Sequence, residues 1–283
     1  MKLQIKLRLL LCLLASTFNT YAISASINQR LPSGLVATAE YQIGDKNQPA
    51  VFILHGLLQT RNYITVRSLI TAISDEGYSV LAPNLSLGIS NRKKSLPCEA
   101  IHNHDMAQDI AEIDFWIQFL ERKGHTAIYL IGHSFGSLQI LLYSNNKKPK
   151  SVKKIIATSL IHVEKSNDGT LIEEHLKRAE LNLKQGDNKL HSYPISYCKK
   201  YTSPAKHYIS YAQWTKQKIK AEIDKLKIPI TIILGNKDKR IDKKWISILS
   251  NTNLILIEGA NHFFDTTHEF DLNDKVLDEL RSK

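Results

Sequence analysis

Apolar residues in this chain gather into short continuous runs, and stretches of helical spacing separate the runs. Residues 51–54, 78–82, 127–131, 154–160, 228–234 and 253–257 are mostly Val, Ile, Leu and Ala. Runs of this length between polar turns predict strands buried on both faces. Between them, Tyr63, Val66, Leu69, Ile70 and Ile73 share one helical face that ends near Gly77. Met106, Ile110, Ile113, Ile117 and Leu120 share another, entered at Asp105 and closed by Gly124. Further helices are predicted over 138–143 and 242–249, and a last one holds Phe270, Val276, Leu277 and Leu280. Near the start, Leu35, Ala37, Ala39, Tyr41 and Ile43 alternate with other residues, which predicts an edge strand of an antiparallel opening hairpin. Strands alternating with helices predict the α/β class, with a mainly parallel, doubly wound sheet.

The alternation breaks at residues 162–225, which show helical spacing, many lysines and tyrosines, and no apolar strand. This stretch is expected to be a helical lid insertion over the strand ends. It divides a core of 23–161 and 226–283. Residues 83–99 read as a polar loop punctuated by Pro83, Gly88 and Pro97.

The first residues change the picture of where the chain works. Lys2, Lys6 and Arg8 precede an apolar run over 9–15, and Thr20-Tyr21-Ala22 closes it with small residues at 20 and 22. That order predicts a signal peptide over 1–22, cut after Ala22, and a periplasmic or secreted product. Cys12 follows Leu11 and not a small residue, which argues against lipoprotein processing. Cleavage leaves Cys98 and Cys198, a natural disulfide pair in an exported chain. The formal charge of +11 falls to about +8 without Lys2, Lys6 and Arg8. Between Lys165 and Lys227, 13 Lys and Arg face 7 Asp and Glu. A basic surface of this kind attracts anionic lipid or substrate, including peripheral contact with an anionic membrane surface; a solvated lysine-rich face is the plain alternative. No basic helix carries base-reading residues, so nucleic acid is not expected.

The chemistry begins where the run 127–131 stops at Gly132-His133-Ser134-Phe135-Gly136 and a helical segment follows at once. Strand, sharp turn, helix is the context a Gly-x-Ser-x-Gly nucleophile elbow requires, and Gly132 and Gly136 supply the freedom the turn needs. A hydroxyl attacks a carbonyl at neutral pH only with a base, a group that orients the base, and donors for the oxyanion. His262, in Gly259-Ala260-Asn261-His262, follows the last strand and is the candidate base. Asp238 follows the strand before it and is the candidate orienting acid, with Asp242 as a rival. The backbone N–H groups of Leu57, after His55-Gly56, and of Phe135 are the candidate oxyanion donors. His55 is expected to brace that turn and His133 to pack within the elbow. Cys98, His102 and His104 lie within seven residues, but no fourth ligand stands at a telling distance. Asp105 fits a helix cap, so no metal is assigned, and the chemistry calls for no cofactor. Tyr193, Tyr197, Tyr201, Tyr208, Tyr211 and Trp214 either line an acyl pocket or pack helices.

These motifs, in the chain order Ser134, Asp238, His262, resemble the α/β-hydrolase superfamily, in particular its lipase- and esterase-like members with a His-Gly motif after the third strand. The likeness spans about residues 35–160 and 228–280. It implies that Ser134 is the nucleophile, Asp238 the acid, His262 the base, and Leu57 with Phe135 the oxyanion hole. One departure is visible: many relatives carry Asp-x-x-Gly-x-Gly-x-Ser after the fourth strand, whereas Pro83 to Ser90 lacks the Asp and one Gly. The expected activity is that of an exported serine hydrolase acting on a small-molecule ester, thioester or acyl lipid. A serine peptidase and a silent binding protein of the same fold remain as alternatives.

Overall fold

The structure is a computed structural model and describes residues 24–166 and 168–282; the expected signal peptide lies outside them. In chain order the core elements are β1 (Ser24–Arg30), β2 (Val36–Gln42), β3 (Ala50–Leu54), α1 (Ile64–Asp75), β4 (Val80–Asn84), α2 (Met106–Arg122), β5 (Ile128–His133), α3 (Phe135–Lys147) and β6 (Val152–Thr158). There follow α4 (Ile172–Lys184), β7 (Leu190–Ile195), β8 (Cys198–Pro204), α5 (Ala205–Ala212) and α6 (Lys216–Lys225). The chain closes with β9 (Ile230–Gly235), α7 (Lys243–Leu249), β10 (Asn253–Ile257) and α8 (His268–Arg281).

Eight strands form one sheet in the order β1-β2-β4-β3-β5-β6-β9-β10. Pairing is parallel from β4 to β10, while β2 runs antiparallel to both β1 and β4. The strand period of two sorts each central strand between two cores. Val51 and Ile53 of β3 join α1 and α8, whereas Phe52 and Leu54 join α2 and α3. Both faces are therefore covered, and this is why the central strands read as unbroken apolar runs. Asp105 accepts from the backbone N–H of Gln108, and the Gln108 side chain accepts from the Asp105 N–H. This capping box fixes where α2 begins.

Three expectations need correction. The alternating segment near residue 40 is not the sheet edge, because β1 lies outside it and pairs residue for residue from Ser24↔Gln42 to Arg30↔Val36. The segment between β6 and β9 is not wholly helical: β7 and β8 form an antiparallel hairpin with Tyr193 opposite Tyr201. Phe270 does not belong to the buried face of α8, since it is 70% exposed. The hairpin and α5 pack their buried tyrosines into the same core as α2 and α3.

Cys98 and Cys198 are joined, with their Cα atoms 5.3 Å apart and 100 positions between them in sequence. The bridge ties the loop after β4 to β8. A loop of that length removes much freedom from the unfolded chain, so its loss is expected to cost about 3 kcal/mol. The double substitution Cys98→Ser with Cys198→Ser should therefore melt roughly 6–12 °C lower. Calorimetry of the two proteins checks this, and an unchanged melting temperature would refute it.

Candidate active site

β5 delivers Ser134 to the carboxyl edge of the sheet, and α3 starts one residue later. Ser134 adopts φ 57° and ψ −119°, a conformation that costs a residue with a side chain about 1–3 kcal/mol. The chain crowds around it. A Cβ at Gly136 would stand 2.5 Å from the carbonyl oxygen of His55, and one at Gly132 would stand 2.5 Å from the carbonyl carbon of Gly136. The Ser134 N–H donates to the Thr158 carbonyl at 2.9 Å, and the Ser137 hydroxyl donates to Gly132 O at 2.7 Å. These bonds fasten the elbow to β5 and β6.

The loops after β9 and β10 bring the two remaining partners. His262 Nε2 lies 2.9 Å from Ser134 Oγ, and His262 Nδ1 lies 2.6 Å from Asp238 Oδ2. The other Asp238 oxygen accepts from the Arg240 backbone N–H at 2.8 Å. The imidazole is held from behind, because its own carbonyl accepts from the Ser159 hydroxyl at 2.7 Å. The carboxylate facing Nδ1 places the ring proton there and leaves the Nε2 lone pair toward the serine. Burial lowers the His262 pKa below its ordinary 6.5, Arg240 adds to this, and Asp238 opposes it. The ring is thus neutral at pH 7, the form that accepts a proton. Asp242, the rival acid, is engaged elsewhere: it accepts from the Trp245 N–H at the start of α7 and pairs with Lys216 at 2.7 Å.

Gly56 lies against Ser134, where a Cβ on it would stand 3.3 Å from Ser134 Cβ. Among the described residues no backbone acceptor takes the Leu57 N–H, and Phe135 is the first residue of α3, whose N–H has no carbonyl four residues back within the helix. The turn that carries Leu57 is braced by His55 and by two side chains, Tyr197 and Arg92, whose place here sequence reasoning missed. Tyr197, beside the disulfide, donates its hydroxyl to Leu57 O at 2.8 Å. His55 donates from Nδ1 to Gly56 O at 2.8 Å, while its Nε2 accepts from the Leu85 N–H and from Arg92, each at 3.1 Å. Burial, then the Arg92 charge, pushes the His55 pKa down to about 3. Arg92 is itself buried and donates to Leu85 O at 2.5 Å. Nothing local in the sequence around Tyr197 or Arg92 marks them; only the fold brings them to this turn.

The other candidates take structural places. His133 packs within the elbow with its ring tilted 5.3 Å from that of His262, and its Nδ1 faces the Thr158 hydroxyl. Cys98 is in the disulfide, His102 stacks on Tyr201 at 4.0 Å, and His104 meets the Tyr211 hydroxyl at 2.7 Å. Tyr193, Tyr201, Tyr208 and Tyr211 are fully buried, and Tyr193 stacks on Tyr208. They pack the inserted segment against α2 and α3. Among the described residues no helix is long and apolar enough to cross a membrane.

A parallel sheet with an antiparallel second strand, a serine at a strand–helix elbow, and an acid and a histidine after the last two strands define the α/β hydrolases. The chain belongs to the α/β hydrolase fold family, whose pattern matches residues 49–190. No curated protein matches it. Among solved structures it is similar to Est1E from Butyrivibrio proteoclasticus, with TM-score 0.63 and 16% identity over 92% of this chain and 99% of that one. It is also similar to a monoacylglycerol lipase from Paleococcus ferrophilus, with TM-score 0.62 and 18% identity over 86% and 98%. A bromoperoxidase from Bacillus anthracis aligns with TM-score 0.59 and 17% identity over 91% and 100%. Such distant likenesses establish the fold and leave the reaction to the site's own geometry.

Proposed function

We propose that this chain is an exported serine hydrolase that cleaves carboxylic esters through an acyl-enzyme on Ser134, with 162–225 as a lid over the site. The observation that carries the reading is the unbroken hydrogen-bonded line from Asp238 through His262 to Ser134. His262 Nε2 takes the serine proton as Oγ bonds the carbonyl carbon. The developing oxyanion is held by the Leu57 and Phe135 N–H groups, each worth about 3 kcal/mol of barrier. The carbon–oxygen bond to the alcohol then breaks, and the imidazolium gives its proton to the leaving oxygen. Water repeats the sequence: its proton passes to His262, its oxygen bonds the acyl carbon, and Ser134 leaves with a proton. The disulfide supports export, since such bonds persist in oxidising compartments. Tyr197, which reaches Leu57 from the inserted segment, supports that segment's place over the site.

A fluorophosphonate probe tests the reading. Labelling of the protein that disappears on Ser134→Ala is expected; a folded protein that resists the probe would instead be a binding protein. Chain-length series of p-nitrophenyl esters beside aminoacyl amides separate esterase from peptidase.

The pH profile follows from the imidazole. Activity requires neutral His262, so kcat/KM falls as pH drops through its pKa. Because burial holds that pKa below 6.5, the midpoint of the acid limb is expected below pH 6.5. A limb centred above pH 7 would contradict the buried, neutral base.

A further inference from the structure

Beside His262 opens a cavity of about 570 Å³ between the loop that enters α4 and the loop after β9. Lys165, Lys237, Lys239 and Arg240 line it, along with His262 and Phe263. Two carboxylates also reach its wall, and both are engaged: Asp238 by His262, and Asp242 by Lys216. His162 in the same wall is neutral, its pKa lowered to about 4 by burial and by Lys216. Among the described residues none of the four cations has a carboxylate within ion-pair distance. Three of them are exposed lysines, but Arg240 is half-buried and sits over the Phe263 ring, its Cζ 4.9 Å from the centroid. Its backbone N–H donates to Asp238 and its side chain stands in the cavity wall with His262, where the Asp238 charge acts on the guanidinium. An arginine fixed on an aromatic face loses little freedom when it binds an anion, and its planar fork suits phosphate or carboxylate.

The position of the cavity also says which part of an ester it receives. His262 protonates the departing oxygen, so the alcohol portion lies on the imidazole side of the reacting carbon. The walls include His262 and Phe263 and none of Ser134, Leu57 and Phe135, so the cavity lies on the far side of the imidazole from the oxyanion donors. We infer that this cavity is a subsite for an anionic leaving alcohol: the substrate is an ester whose alcohol portion carries a phosphate or carboxylate, anchored by Arg240 with the three lysines around it. This rests on the hydrolase reading above.

Two matched pairs test it. In the first, 4-(butyryloxy)benzoate is compared with the neutral 4-(butyryloxy)benzamide. In the second, 1-hexanoylglycerol 3-phosphate is compared with 1-hexanoylglycerol. Within each pair the acyl group and the bond broken are the same. The anionic member is expected to have a kcat/KM roughly ten- to hundredfold higher, mainly through KM, and the larger ratio identifies carboxylate or phosphate as the anion. The preference should shrink as salt rises from about 0.02 M to about 0.5 M. Arg240→Gln should bring the ratio toward one and Arg240→Glu below one; because the ratio is taken within each variant, losses common to both esters cancel. The triple substitution of Lys165, Lys237 and Lys239 by Gln should lower the ratio in part. Equal or better cleavage of the neutral members by the parent protein overturns the subsite and leaves the hydrolase standing. Cleavage of no member, with no fluorophosphonate labelling, overturns both.

Discussion

Ser134→Ala is expected to lower kcat for ester cleavage by roughly a million-fold, with the melting temperature within about 2 °C of the parent. The first part follows because the base and the orienting acid have nothing to activate once the hydroxyl is gone. The second follows because alanine must adopt the same left-handed backbone as serine at 134, so the elbow's strain is unaltered. Steady-state rates on a p-nitrophenyl ester, read beside a thermal melt, check both together. Residual activity within a hundredfold of the parent would place the nucleophile elsewhere.

Asp238→Asn is expected to cost about ten-thousand-fold in kcat while leaving the fold intact. The side chain is buried, and one of its oxygens accepts from the Arg240 N–H, a bond that an amide oxygen preserves. The amide nitrogen then faces Nδ1 and donates to it. The ring proton is driven to Nε2, where it points at the serine and blocks proton transfer. Asp242→Asn is the control from the same loop. It keeps the cap of α7, since Asn caps as well as Asp, and loses only the charge in the pair with Lys216, so its effect should fall on the melting temperature, at most about 1 kcal/mol, and the rate should change less than about twofold. Reversed results for the two substitutions would assign the acid to 242.

The central sheet was legible because strands buried on both faces leave no room for polar residues. Val51 to Leu54 and Ile230 to Leu234 announce themselves by composition alone. The elbow was legible for a similar reason: two glycines around Ser134 are demanded by backbone atoms 2.5 Å away. β1 was not legible. It lies at the sheet edge with sequence Ser-Ala-Ser-Ile-Asn-Gln-Arg, and an edge strand with a solvated face carries no hydrophobic signature. The β7–β8 hairpin hides for another reason. Each strand contains a proline, and β8 begins Cys-Lys-Lys, so the tyrosines that make its buried face read as part of a helical pattern. Asp238 and Asp242 could not be separated by spacing, since both follow β9 within one loop; only the direction of each side chain distinguishes them. Arg92 and Tyr197 lie 37 and 140 positions from the residues they hold, and a relation of that kind belongs to topology.

The covalent tie between residues 98 and 198 has a mechanical consequence. The hairpin is further riveted by the His102 N–H on Thr202 O and by Tyr197 on Leu57. α5 is held by Tyr211 on Asp109 and by Ser210 on the Met106 N–H. A segment fixed at so many points moves with the core it is tied to, and does not swing clear of it as one piece.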